Sequence, residues 1–329
     1  LIERVRIFCS GTLVEDLGPN CGRTHEMFMN RLLPHNHNVN AGIVNGMMRF
    51  NPTQYAPAQN MQAWAIEHGY TATVLMPIAC GFWMANKCLP VRYAPVQIEI
   101  TFANAEDAVV QNSGHQANVG INPETKSRDY VIRQLTVFCA QARLDSALEQ
   151  NFAQILLSNR SLTVPVRTVA TQVQSVPHGS TSFQISLVRA LSRMNAVFVT
   201  FTWGEAAAAE ANYYAHPVVM MGNPSAIAPG HGDALHHKER TMTMQLHIGS
   251  KMTPETECSS IGEFFDNLQQ ALDTYDQSLR TVAITPEMYV LSSFIAGFNL
   301  CRVPGHFAPG INTRTGDLLV VKCKNLKPG

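Results

Sequence analysis

Twelve histidines are the first residues to test for chemistry, and two groups of them have ligand-like spacing. In "PHNHN" His35 and His37 are two residues apart, so on a strand both imidazoles share one face and open a metal site of the cupin kind. No carboxylate follows in "NVNAGIVNG", and the glycine spacing before the pair is wrong for such a site, so a polar loop is expected. "HGDALHH" gathers His231, Asp233, His236 and His237, a better donor set on paper. It stands in an excursion rich in Gly, Pro and Ala, where a solvated or intersubunit loop is expected.

Acidic pairs are the other candidates. Glu15-Asp16 and Glu106-Asp107 both lie beside turn residues, where solvated charge or turn hydrogen bonding is the usual role. There is no G-x-S-x-G elbow, no G-x-x-x-x-G-K-[ST] phosphate loop and no G-x-G-x-x-G after a strand. No catalytic, cofactor-binding or metal residue is assigned on these grounds, and the chain reads as a non-enzymatic protein.

Composition narrows the partners. With 329 residues and 46% hydrophobic content the chain can fill the cores of about two domains. Only 15% of residues are charged, 24 basic against 24 acidic, so no global field draws in nucleic acid or an anionic membrane. Shape and apolar contact must carry recognition, with no sequence-specific nucleic-acid contact expected. No apolar run reaches the roughly 20 residues of a spanning helix. "EAAAAEA", Glu205 to Ala211, lacks a wide apolar face and reads as a short surface helix. The eight cysteines form no C-x-x-C pair and several fall inside apolar strand patterns, so reduced, buried thiols are expected. "LIERVRIF" already has strand character at Leu1, which suggests a chain that begins inside a longer product.

The elements that would position any site are mainly strands. "VQIEITF" alternates so that Ile98, Ile100 and Phe102 share a face, entered through Pro90 and Pro95. "YTATVLM" does the same with Tyr70, Ala72, Val74 and Met76, and "TMTMQLHIG" with Met242, Met244, Leu246 and Ile248. "FQISL" and "AVFVTF" add two more. Two helices are signposted by capping-box spacing: Ser146 with Glu149, ahead of a stripe at Leu148, Phe152, Ile155 and Leu156, and Ser260 with Glu263, ahead of Phe264, Leu268, Leu272 and Tyr275. A shorter turn of helix is expected in "NMQAWAIEHG". Strands and helices do not alternate as βαβ units would require.

Two passages recur in order. "IERVRIFCSGTLVED" aligns with "VIRQLTVFCAQARLD", setting Val5, Ile7, Phe8, Cys9 and Val14 over Leu135, Val137, Phe138, Cys139 and Leu144. "IACGFWMANKCLPVRYAPVQIEITFAN" has a counterpart in "IAGFNLCRVPGHFAPGINTRTGDLLVVKCKN", where Pro304 and Pro309 take the places of the earlier prolines. Two related tandem domains follow, 1–118 and 119–329, the first incomplete at its N-terminus, with the join in the polar run Asn112 to Asp129.

The stretches "LIERVRIFCSGTLVEDL", "LPVRYAPVQIEITFAN", "YVIRQLTVFCAQARLDSALEQNFAQILLSNRSLTVPV", "FQISLVRALSRMNAVFVTF" and "GINTRTGDLLVVKCKNL" together resemble the double jelly-roll major capsid proteins of Polinton-like viruses, virophages and nucleocytoplasmic large DNA viruses. The resemblance implies an all-β chain of two tandem jelly-roll sandwiches with short helices in loops. It further implies a homotrimer forming a pseudo-hexameric capsomer, tiled with neighbouring capsomers, penton and minor capsid proteins into an icosahedral shell around double-stranded DNA. The site of action would be the virion capsid, assembled in the host cytoplasm or nucleus, and no cofactor is implied. The first unit is short for the eight strands of a jelly roll. Against this stand a two-domain cupin-like metal enzyme or lectin-like carbohydrate-binding protein, in which His35, His37 or the 231–237 cluster would converge inside a barrel, and a penton-type single jelly roll.

Overall fold

The computed structural model describes residues 2–18, 21, 78, 80–82, 89–105, 129–158, 160, 164, 166, 168–177, 180–189, 191–201, 242–272, 289, 294–301, 310–314 and 318–325. Among them are nine strands, all in antiparallel sheets, and two helices, so the chain is all-β. The contacts divide it into two units. One is drawn from residues 1–26, 77–111 and 124–171, the other from 27–76, 112–123 and 172–329.

The first unit is built on a hairpin. Strands β1 (Ile2–Cys9) and β2 (Thr12–Leu17) are joined by Ser10 and Gly11, both at positive φ (50° and 79°), the two-residue turn whose twist matches its strands. Strand β3 (Val96–Phe102) pairs on the other side of β1, giving the order β2-β1-β3. The two prolines before β3 act as punctuation: Tyr93 and Ala94 N–H donate to the Pro90 carbonyl in a turn, and Ser10 N–H caps the Pro95 carbonyl. Val5 and Ile7 of the central strand are buried with Leu17, Cys21, Cys80 and Phe82, and Val96 and Ile98 pack against them.

The alternation of β2 is broken once. Cys9 faces Thr12 and Phe8 faces Leu13, but Ile7 faces Glu15 and Val5 faces Leu17, so Val14 is an extra residue, a β-bulge. Beyond it the parity of the strand is reversed. Val14 is left exposed, and Glu15 and Leu17 point to the buried face.

Helix α1 (Ser146–Leu157) begins one residue earlier than the spacing predicts. Asp145 is the N-cap, accepting from Ser146 N–H, while Glu149 Oε1 turns outward to Arg92 Nη1 at 2.9 Å. Its apolar stripe lies on no core: no residue of α1 is buried.

The second unit has a four-stranded sheet, β4 (Phe183–Leu187), β9 (Leu319–Lys324), β6 (Thr243–Ile248) and β7 (Lys251–Cys258) in that order, and a two-stranded one, β5 (Ala196–Val199) with β8 (Ala296–Asn299). Met242, Met244, Leu246 and Ile248 all face the core, as their alternation requires. β7 carries a wide bulge: Met244 faces Cys258 and Leu246 faces Thr253, leaving 254–257 opposite Gln245. The buried Gln245 side chain fills the gap, its Nε2 donating to the Pro254 and Glu255 carbonyls at 3.0 and 3.1 Å.

Helix α2 (Ile261–Ala271) has the predicted capping box, Ser260 Oγ accepting from Glu263 N–H and Glu263 accepting from Ser260 N–H. It seats Phe264 and Leu268 in the core. Against β8 the fit is so close that a Cβ on Gly297 would lie 2.8 Å from the Leu268 Cα, which is why glycine stands there. A chain of aromatic rings runs through this core: Phe183 to Phe201 (5.8 Å between centroids), Phe201 to Phe294 (6.3 Å), Phe294 to Phe264 (5.4 Å) and to Tyr289 (5.5 Å). The Tyr289 hydroxyl, buried with them, donates to the Ile295 carbonyl at 2.8 Å.

Candidate functional site

The bulge at Val14 delivers a carboxyl group to the floor of the first unit. Glu15 is 2% exposed and is the only acidic residue buried among the described residues. Four donors meet its two oxygens. Gly81 N–H and the Thr168 hydroxyl reach Oε1 at 3.0 Å each, and Phe82 N–H reaches Oε2 at 2.9 Å with the Cys80 thiol beside it. Hydrogen bonds to an ionised acceptor are about twice as strong as neutral ones, and consecutive backbone N–H groups make a natural cradle for a carboxylate.

The geometry ties together three stretches distant in sequence: β2, the turn at 80–82 and residue 168. A carboxyl group with four donors on it and almost no exposed surface offers neither a free lone pair nor an approach for a substrate. Glu15 is therefore a clasp that satisfies the polar groups of turn 80–82 inside an apolar cluster. Asp16, its neighbour in sequence, points the other way and forms a two-pronged ion pair with Arg4, at 2.9 Å to Nε and 2.6 Å to Nη2. That pair raises the Arg4 pKa, chiefly through the hydrogen bond to Asp16. Of the two roles expected beside a turn, solvated charge and turn hydrogen bonding, Glu15 takes the second, buried rather than solvated because the bulge reverses the strand's parity. Leu17 carried the signal: with a two-residue turn at Ser10-Gly11, it comes opposite Val5 only if one residue of β2 is looped out.

A second group of charges lies on the second unit's four-stranded sheet. Glu257 accepts from Lys324 Nζ and from Thr243 Oγ1 at 3.2 Å. The Lys324 hydrogen bond foremost holds the Glu257 carboxyl below its ordinary pKa. His247, on the same sheet, is lowered by burial first and then by the charge of Lys322. No group of three or more His, Cys, Asp or Glu poised for a metal occurs among the described residues. Burial pushes the thiols of Cys258 and Cys323 up to about 11 and about 12, the range of inert core thiols.

His35, His37, Glu106, Asp107, His231, Asp233, His236 and His237 lie outside the described residues, as do Tyr70 to Met76 and Glu205 to Ala211. Of the described helices, none is long and apolar enough to cross a membrane. The chain matches no family model, no curated protein and no solved structure.

Proposed function

We propose that the chain is a structural shell protein: a double jelly-roll major capsid protein whose homotrimers form pseudo-hexameric capsomers of an icosahedral double-stranded DNA virus. The observation that carries the reading is the ordered series of sequence passages, from "LIERVRIFCSGTLVEDL" to "GINTRTGDLLVVKCKNL", that resembles this family along most of the chain. An all-β chain of antiparallel sheets, the material of a jelly roll, supports it. So does the balance of 24 basic and 24 acidic residues, since copies with little net charge pack side by side without mutual repulsion.

The function asked of such a chain is mechanical. Rigid sheets set the spacing of the tile, and the connections between strands meet the neighbouring tiles. Sedimentation of the purified chain, with negative-stain imaging of the same fractions, tests the reading. The expected result is a particle of three chains with a hexagonal outline; a chain that stays monomeric at high concentration contradicts it.

A further inference from the structure

The densest group of exposed apolar side chains among the described residues is the ribbon 131–144. It carries Val131, Ile132, Leu135, Val137, Phe138 and Leu144, with Val131 and Phe138 78% and 79% exposed. The ribbon has no helix, strand or turn, and its backbone makes no hydrogen bond among the described residues. A run of β-branched and aromatic residues with open N–H and C=O groups is a strand without a sheet.

A sheet with an open edge exists in the same unit. β3 pairs with β1 on one side and, among the described residues, with nothing on the other. The sequence repeat supplies a register. Leu135, Val137 and Cys139 occupy the places of Val5, Ile7 and Cys9, which in β1 face Ile100, Ile98 and Val96 of β3. The same antiparallel register on the outer edge would set Leu135 beside Ile100 and Val137 beside Ile98, extending the apolar face formed by Val5 and Ile7.

The Tyr130 hydroxyl donates to the Ala103 carbonyl at 2.5 Å, anchoring the ribbon just past the end of β3. This tether gives the chain's own edge a large advantage in local concentration. Ribbon and edge nevertheless stand unpaired among the described residues, and another copy presents the same matching edge. We propose that residues 131–144 are a donated strand, adding to the outer edge of β3 in a second copy of this chain. The contact joins unlike surfaces, so it runs head to tail, and a rotation that closes makes it a ring. That the ring holds three copies rests on the shell-protein reading.

The test is cross-linking between two single variants, Leu135→Cys on one tagged chain and Ile100→Cys on an untagged one. In a background with the exposed Cys139 changed to Ser, and mixed and mildly oxidised, they should give a covalent two-chain species carrying both the tagged and the untagged chain in far higher yield than either gives alone. Hydrogen exchange of the unmodified protein is the parallel measurement, with slowed exchange of β3 amides on assembly expected. Val137→Pro, which removes a ladder donor from a segment whose backbone makes no hydrogen bond among the described residues, should weaken association by roughly tenfold or more. A link within one chain in the double variant, at the mass of a monomer, overturns the proposal. An assembly that forms without the cross-link and with β3 amides still exchanging freely also overturns it and leaves the shell reading standing. A chain that never assembles overturns both.

Discussion

Strand β1 and the ribbon 131–144 share a sequence pattern and have opposite environments. Val5 and Ile7 are closed off between β2 and β3, whereas Leu135 and Val137, at the matching places, are exposed. The two helices repeat the contrast. Both have capped N-termini and an apolar stripe, but α2 sinks Phe264 and Leu268 into a core and α1 buries nothing. Local pattern decides what a segment is able to become, and the neighbouring element decides whether its apolar face is used.

The sharpest way to break the contrast is in the helices. Phe264→Ala should lower unfolding free energy by about 3–5 kcal/mol, since it empties a fully buried site against the Phe294 ring, whereas Leu148→Ala in α1 should stay within about 0.5 kcal/mol. Denaturant titration of the two variants reads both numbers, and equal effects would remove the distinction. In the strands, Ile7→Ala should cost about 2–4 kcal/mol and Val137→Ala close to nothing while the protein is dilute and monomeric. A loss for Val137→Ala that grows with protein concentration would mark the ribbon as paired in the assembly.

Glu15→Gln is the next in size. The amide keeps one acceptor but turns an NH2 group toward donors already in place, so a loss of about 1–3 kcal/mol is expected. Protease susceptibility near residues 80–82 should rise with it; unchanged stability would mean that the clasp holds nothing. The smallest effect is on the second unit's sheet. Because Glu257 titrates below its ordinary value when folded, it adds stability above that value and loses it as pH falls through the folded one. The pair with Lys324 is half-exposed, so Lys324→Met should flatten the acid limb below the ordinary carboxylate range by about 0.5 kcal/mol or less.

Much of the second unit is legible in the residues alone. The period-2 pattern at Met242, Met244, Leu246 and Ile248 gives the buried face of β6, and Ser260 with Glu263 gives the start of α2, because both signals are local and nothing overrides them. α1 shows where local reading slips: Asp145 stands directly before Ser146, and the carboxylate took the cap. The equivalence of β1 with 131–144 failed as an equivalence of structure, since pairing depends on a partner edge far away in sequence. Ile78 to Phe82 likewise aligns with Ile295 to Phe298, but Gly81 and Phe82 form a turn and Ala296 to Asn299 form β8. Glu15 was hidden because alternation counts residues, and a bulge miscounts by one.

That extra residue has a consequence for how the clasp is written into the chain. Deleting Val14 would leave the pairing on both sides of it in place, Phe8 with Leu13 and Ile7 with Glu15, whereas a regular ladder that kept Val14 would set Val14 beside Ile7 and turn Glu15 to the side of Arg6. The polar joint is specified by how many residues of β2 enter the ladder as well as by its letters: looping out one residue exchanges inside for outside along the rest of the strand, which no single side chain there does by itself.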